Sequence, residues 1–239
     1  MFDGPAGNPY TAVPIDVMNN AEGQALAEQA AREAIVLLKN ENNILPFNAA
    51  AMKGKTVAVI GPLANVTSIM MGGKNDYCPE HTVSLCEGIT VRGAAAGVTV
   101  VCTNTPGPDG DDEAATIAAA VQGADAVVLA VGGIFGHEAS DRTEITLPTD
   151  QIATINTTIA SATAASTPLV LMMVNGDPIV RATLQTSPPF GSKQVSKMPY
   201  AVIWHRVVIV SLYRVLATLP AVHPLGANSF YAYVNTVHV

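Results

Sequence analysis

The chain has 239 residues, of which 49% are hydrophobic and 13% are charged, and its formal net charge at pH 7 is −7. This length can bury a full hydrophobic core in one domain, or in one domain with attached segments. A negative net charge without a stripe of lysine and arginine residues excludes a protein that binds the phosphate backbone of nucleic acid. Aromatic residues, at 5%, are too few for a surface on which single-stranded bases stack.

The three cysteines, Cys78, Cys86 and Cys102, form no CxxC pair and have no histidine at ligand-like spacing. We therefore expect no structural zinc site, and no other metal or cofactor. The odd count leaves open one disulfide bridge with a free thiol, and it does not fix the cellular compartment. Residues 1–5 lack the basic and apolar regions of a signal peptide, which says nothing about a longer parent protein.

The amino-terminal part divides into a leader and a helix. Residues 1–20 are rich in glycine, asparagine and helix-stopping prolines, and we predict an extended leader or interdomain linker. A helix is predicted from Ala21 to Asn40, where apolar residues recur at helical spacing. A polar turn and the short apolar segment 44–47 follow it.

Four apolar runs are predicted to be buried parallel strands. They cover residues 55–60, 98–102, 126–131 and 168–174. Helices are predicted over 114–122 and 150–163, whereas residues 70–93 are predicted to be a loop. This alternation predicts an α/β fold in which a mostly parallel sheet is sandwiched between helices, in three α/β/α layers.

Two local patterns suggest a ligand, and for both a structural interpretation is favoured. The strand that ends at Gly61 resembles the start of a nucleotide site, but the GxGxxG spacing is missing and Pro62 has no amide to donate to a phosphate. The acidic residues 109–113 lack the spacing of an EF-hand loop, so we interpret them as a helix start that complements the helix dipole.

The loop from Gly132 to Arg142 follows the third predicted strand and contains Glu138 and Asp141. Open α/β sheets bind their ligands at the carboxyl ends of the strands, where this loop lies. The same residues also fit a solvated loop with a weak surface salt bridge. Composition and position alone do not decide between the two interpretations.

The regular alternation of predicted strands and helices ends after about residue 183, and residues 187–191 are predicted to be a linker. Residues 200–216 are strongly apolar, but a membrane span needs about 20 residues with few charges. His205, Arg206 and Arg214 interrupt this run, so a buried strand or helix is favoured over a membrane span.

Taken in order, several motifs resemble the carboxyl-terminal domain of glycoside hydrolase family 3. They are the LLKN motif at residues 37–40 with LPF at 45–47, GPLAN at 61–65, ADAVVLAVGG at 124–133, EASDR at 138–142, the LP and Gln151 of 147–151, and NGDPI at 175–179. The segments at residues 2–4 and 8–10 resemble the linker that leaves the barrel in the β-xylosidase branch. The resemblance covers about residues 1–183.

The resemblance implies a retaining glycosidase that acts on β-linked xylo- or gluco-saccharides. In this family an amino-terminal (β/α)₈-type barrel supplies an aspartate nucleophile, and the α/β-sandwich domain supplies the general acid/base, which Glu138 matches. A retaining enzyme needs these two carboxyls about 5 Å apart. The general acid also needs a pKa that is raised towards neutrality, so that it is protonated when it is required.

The resemblance also gives expectations for the residues around Glu138 and for the chain as a whole. Asp141 and Arg142 are expected to position the loop, His137 is a possible substrate contact, and no residue of this chain matches the nucleophile. The partner of this domain would be the amino-terminal barrel, and the full-length family member is expected to be secreted. Whether the substrate is a β-xyloside or a β-glucoside stays open.

This chain departs from the family pattern in three ways. It contains no match to the barrel, it contains no fibronectin-like third domain, and a frameshift, mis-spliced segment or severe divergence is expected between about residues 183 and 230. We therefore predict a linker at 1–20, the α/β domain at 21–190 and a divergent or aberrant tail at 191–239. The isolated chain is expected to be inactive, and the alternative is a catalytically dead module that binds sugar or a partner.

Overall fold

A computed structural model describes residues 9–17, 20–68, 82–105, 113–133, 141–175, 179 and 200–206. Its helices are α1 (Ala21–Glu33), α2 (Ala49–Met52), α3 (Leu85–Ala95), α4 (Glu113–Gln122) and α5 (Thr149–Ala165). Its strands are β1 (Ile35–Asn40), β2 (Thr56–Ile60), β3 (Thr99–Thr103), β4 (Ala126–Gly133), β5 (Leu169–Asn175) and β6 (Tyr200–Arg206). Three short 3₁₀ turns cover Pro9–Ala12, Ile15–Val17 and Glu41–Asn43.

The six strands form one sheet in the order β1-β6-β5-β4-β2-β3. Strands β2 to β6 all run parallel to one another, and the edge strand β1 pairs antiparallel with β6. All seven residues of β5 are buried, and β4 is buried up to its last residue. Both strands are continuous apolar runs, as expected for parallel strands covered on both faces. The predicted α/β fold with a mostly parallel sheet is confirmed.

Alternate side chains of the central strands pack against helices on opposite faces of the sheet. On one face, Val128 of β4 lies in a core cluster with Leu85 and Ile89 of α3. On the other face, Leu129 lies in a second cluster with Ile117 of α4 and Ile155 of α5. Side chains of a strand point alternately to its two sides, and each fully buried aliphatic side chain contributes about 2 kcal/mol. These clusters produce the three-layer arrangement.

The connections between strands reverse direction next to β2. Strand β3 lies on one side of β2 and β4 lies on its other side. Helix α3, which follows β2, packs on one face of the sheet, whereas α5, which follows β4, packs on the opposite face. Neighbouring parallel strands whose helices diverge in this way leave a crevice at their carboxyl ends. This topology is therefore expected to leave a crevice between the ends of β2 and β4.

The predicted helix from Ala21 to Asn40 is wrong in its second part. Helix α1 ends at Glu33, and Ile35–Asn40 forms the edge strand β1. The register pairs Ile35 with His205 and Asn40 with Ala201. β-branched residues such as Ile35 and Val36 favour strands, and pairing with β6, a segment remote in the sequence, outweighs the local helical periodicity.

The predicted loop over residues 70–93 is wrong from Leu85 onward, because helix α3, which has no counterpart among the predicted helices, occupies Leu85–Ala95. Ser84 starts this helix by accepting a hydrogen bond from the Glu87 amide through its Oγ, 3.1 Å away. The predicted extended leader also contains the two 3₁₀ turns at Pro9–Ala12 and Ile15–Val17. Proline at the first position of such a turn costs no hydrogen bond, because its nitrogen would have no partner there.

Strands β2 to β5 and helices α4 and α5 begin and end within two residues of their predicted bounds, whereas the short helix α2 has no predicted counterpart. From the apolar run at 200–216, Tyr200–Arg206 forms strand β6 between β1 and β5, and the rest of the run lies outside the described residues. In the part of the chain that the structure describes, no helix has both the length and the apolar character of a membrane span.

Candidate functional site

The carboxyl end of β4 is built from two glycines with positive φ angles, 125° at Gly132 and 148° at Gly133. Gly132 pairs with Val174 of the neighbouring strand β5. A Cβ atom on Gly132 would lie only 2.0 Å from the carbonyl oxygen of Val174. Both the backbone angle and this close approach therefore require glycine.

The edge of β4 that faces β2 loses its strand partner before β4 ends. The pairing of β2 with β4 stops at Ile60 and Leu129. The chain then turns at Gly61, and the Leu63 amide donates to the Ala130 carbonyl oxygen, 3.3 Å away. In parallel strands, the backbone amides and carbonyls of alternate residues face the same neighbouring strand. The next amide and carbonyl on this edge are therefore those of Gly132.

The side chain of Gln151 completes this edge. Its Oε1 accepts a hydrogen bond from the Gly132 amide and its Nε2 donates to the Gly132 carbonyl oxygen, both at 2.8 Å. Gln151 lies in the first turns of α5 and is 8% exposed. A carboxamide carries the same donor and acceptor as a peptide group, so Gln151 takes the place that another residue of β2 would occupy. It fixes the end of β4, directly before the segment that contains Glu138.

The turn after β2 forms the other wall of the crevice. A Cβ atom on Gly61, whose φ is 119°, would lie 2.3 Å from the Ala130 carbonyl oxygen. The Gly61 amide donates to the Thr103 carbonyl oxygen at 3.1 Å. This amide is therefore engaged within the sheet and is not available to donate to a phosphate.

Hydrogen bonds connect this turn to the start of α3, and a disulfide connects α3 to β3. The buried Ser84 hydroxyl donates to Asn65 Oδ1 at 2.8 Å, and the Cys86 amide donates to the Ala64 carbonyl oxygen at 2.8 Å. A disulfide joins Cys86 in the first turn of α3 to Cys102 in β3, with Cα atoms 6.0 Å apart. Of the alternatives left open by the sequence, the structure has one bridge, and Cys78 lies outside the described residues.

The segment between Asp141 and α5 is held by its own backbone and by the core. Arg142 donates from Nη2 to the Thr146 carbonyl oxygen at 2.8 Å, and from Nε to the carbonyl oxygen of Glu144. Leu147 is 2% exposed and packs in the same cluster as α4 and α5. The chain that returns from the Glu138 loop is thus fixed just before α5 begins.

Comparison with known proteins shows the family of this chain. The sequence model described as "Glycosyl hydrolase family 3 C-terminal domain" matches residues 35–188. The chain belongs to glycoside hydrolase family 3. The family resemblance noted in the sequence is therefore confirmed.

Two relatives show the extent of the match. The chain is 40% identical to "Beta-xylosidase/alpha-L-arabinofuranosidase 2" of Medicago sativa subsp. varia over 183 residues, which covers 73% of this chain and 22% of that protein. It is 31% identical to "Exo-1,4-beta-xylosidase xlnD" of Aspergillus oryzae over 190 residues, which covers 78% of this chain and 23% of that protein. The chain thus spans under a quarter of the length of these relatives.

Solved structures of the family share the fold. The β-glucosidase from Listeria innocua, solved with gluconolactone, superposes with a TM-score of 0.58 at 28% sequence identity, and the match covers 83% of this chain and 25% of that one. A β-glucosidase of intestinal bacteria involved in saponin metabolism superposes with a TM-score of 0.60 at 22% identity. The second likeness supports the fold alone.

Two of the site residues predicted from the sequence, Asp141 and Arg142, are described, and two lie outside the described residues. Glu138 and His137 belong to residues 134–140, which the structure does not describe, and their roles stay predictions. The described flanks of this segment are Gly133, at the end of β4, and the exposed Asp141. The positioning roles of Asp141 and Arg142 towards Glu138 also stay predictions.

The role of Gln151 in closing the edge of β4 was missed from the sequence, where Gln151 was noted only as part of a motif. The available signal was a glutamine in the first turns of the helix that follows a strand ending in two glycines. Among the described residues, no group of three histidine, cysteine or acidic side chains could hold a metal ion.

Proposed function

We propose that this chain supplies the general acid/base for retaining hydrolysis of β-xylosides or β-glucosides, and that Glu138 is that residue. One observation carries the proposal. Strand β4 ends at the crevice between β2 and β4, and the buried Gln151 fixes that end through the Gly132 peptide. The segment with Glu138 leaves from this fixed point, and catalytic groups need such rigid support.

In the proposed reaction Glu138 acts twice. In the first step its carboxyl proton passes to the glycosidic oxygen while an aspartate attacks the anomeric carbon, so that the aglycone leaves as an alcohol. In the second step the Glu138 carboxylate takes a proton from water, whose oxygen attacks the anomeric carbon and releases the aspartate. The sugar leaves with its original configuration, and both carboxyl groups return to their starting states.

The aspartate of this reaction comes from a different part of the protein. No residue of this chain matches the nucleophile of the family, and the curated relatives extend far beyond the segment that this chain matches. We propose that a barrel domain supplies the aspartate and most contacts to the sugar. These 239 residues would then have no turnover by themselves.

The domain arrangement predicted from the sequence gives each segment of the chain a part in this proposed function. Residues 1–20 would link the barrel to the α/β domain at 21–190, and residues 191–239 would form a divergent tail of that domain. Asp141 and Arg142 would hold the returning segment so that Glu138 faces the barrel. The bonds from Arg142 to the backbone of Glu144 and Thr146 support this role for the arginine.

The test is hydrolysis of an aryl β-xyloside and an aryl β-glucoside by the full chain. The chain is assayed alone, and again after it is mixed with, or joined to, the barrel domain of a family 3 relative. We expect turnover only in the presence of the barrel. Robust turnover by the chain alone contradicts the missing nucleophile, whereas sugar binding without turnover in the joined protein favours a catalytically dead sugar-binding module.

A further inference from the structure

The turn that follows β2 carries a signal which the proposed function does not use. Residues 65–67 read Asn-Val-Thr, and residues 156–158 read Asn-Thr-Thr. Both fit the acceptor pattern for N-linked glycosylation, in which asparagine is followed by any residue except proline and then by serine or threonine. The two sites are equivalent in sequence, and their structural settings differ.

Asn65 lies in a setting that suits a glycan. It is exposed, it ends the turn after β2, and Val66 and Thr67 are partly exposed. Its Oδ1 accepts the hydrogen bond from Ser84 Oγ at 2.8 Å. Attachment of a sugar at Nδ2 replaces one N–H bond and leaves the carbonyl oxygen unchanged, so a glycosylated Asn65 keeps its bond to Ser84 and the start of α3 is not disturbed.

Asn156 lies in a less suitable setting. It is in the middle of α5, between the buried residues Ile155 and Thr158. Thr158 is 0% exposed, and its hydroxyl donates to the Thr154 carbonyl oxygen at 2.7 Å. N-linked glycans occur on surface loops rather than on packed helices, so Asn65 is the favoured site.

The disulfide between Cys86 and Cys102 supplies an independent reason. Disulfides persist in oxidising compartments such as the endoplasmic reticulum and the extracellular space. N-linked glycans are added in the same pathway. Both features lie on the same part of the fold, because Cys86 and Ser84 flank the first residue of α3.

We propose that Asn65 is an N-glycosylation site and that its glycan projects from the turn after β2. Asn65 contacts the start of α3, whereas the segment with Glu138 leads into α5, which covers the opposite face of the sheet.

The test uses the full chain behind a cleavable secretion signal, translated in the presence of endoplasmic-reticulum microsomes. Only protease-protected chain with a cleaved signal is scored, so entry into the compartment is controlled. We expect one shift to higher mass that peptide N-glycosidase F removes. The shift should disappear in Asn65→Gln and in Thr67→Ala, which leaves the Asn65–Ser84 bond intact, and it should persist in the matched control Asn156→Gln.

Conversion of Asn65 to aspartate on enzymatic deglycosylation, read by mass spectrometry of the peptide, gives a second readout. Protected chain without any glycan, or a shift that survives Asn65→Gln and disappears in Asn156→Gln, overturns the proposal. Neither outcome bears on the role of Glu138.

Discussion

At the scale of single residues, the end of β4 depends on side chains that replace the hydrogen bonds of a missing strand partner. Gln151 does so for the last peptide group of β4. A buried donor or acceptor that loses its partner costs about 1–3 kcal/mol. Residues such as Gln151 therefore connect the stability of the fold with the geometry of the proposed site.

Replacement of Gln151 by alanine tests this connection. Both hydrogen-bonding groups of the Gly132 peptide lose their partner, and we expect the free energy of unfolding to fall by about 2 kcal/mol or more. Denaturant unfolding followed by circular dichroism measures the change. The exposed Gln122 at the end of α4 gives the matched control, and Gln122→Ala should change stability by less than about 0.5 kcal/mol. Equal effects in the two variants would contradict the role of Gln151.

The glycine at position 132 gives a second residue-scale prediction. Gly132→Ala places a Cβ atom 2.0 Å from the Val174 carbonyl oxygen, and we expect a loss of about 3 kcal/mol or more. In Gly123→Ala the new Cβ would lie 3.6 Å from the closest atom, the Ala119 carbonyl oxygen. Thermal unfolding should separate the two variants clearly, and a tolerated alanine at position 132 would show that β4 ends differently.

At the scale of elements, the disulfide ties α3 to β3 and closes a segment with a sequence separation of 16 residues. A bridge over a loop of this size stabilises a fold by about 3 kcal/mol. The Cys102→Ser variant, compared with Cys78→Ser in oxidising buffer, should show this loss. Thiol titration of the unfolded, unreduced chain should find one free thiol, and three free thiols would contradict the bridge.

The secondary-structure elements differ in how well the sequence predicts them. Strands β2, β4 and β5 were predicted closely, because a strand buried on both faces is apolar along its whole length. Strand β1 was missed because its pairing with the distant β6 is not encoded locally, and the whole of helix α3 was missed because it begins within a stretch rich in glycine and polar residues. For the site, the end of strand β4 was predictable, but the hydrogen bonds of Gln151 depend on tertiary contacts.

At the scale of the whole molecule, this chain provides one half of a proposed active site. It matches 22% of the length of the Medicago relative, and its fold ends the central strand β4 beside the crevice where a second domain would dock. A retaining mechanism divided between two domains requires both carboxyls at one sugar ring, about 5 Å apart. We therefore expect that the isolated chain is folded over the segment from β2 to β5 but has no catalytic activity.

The most direct measurement compares Glu138→Gln with Glu144→Gln in the chain joined to a family 3 barrel. Glu144 is an exposed glutamate that follows the same loop, so it controls for the loss of a carboxylate. Turnover of an alkyl β-xyloside, whose poor leaving group needs a proton, should fall about 10²–10⁴-fold in Glu138→Gln and remain unchanged in Glu144→Gln. A Glu138→Gln protein that retains full turnover on this substrate would contradict the role of Glu138 as the general acid/base.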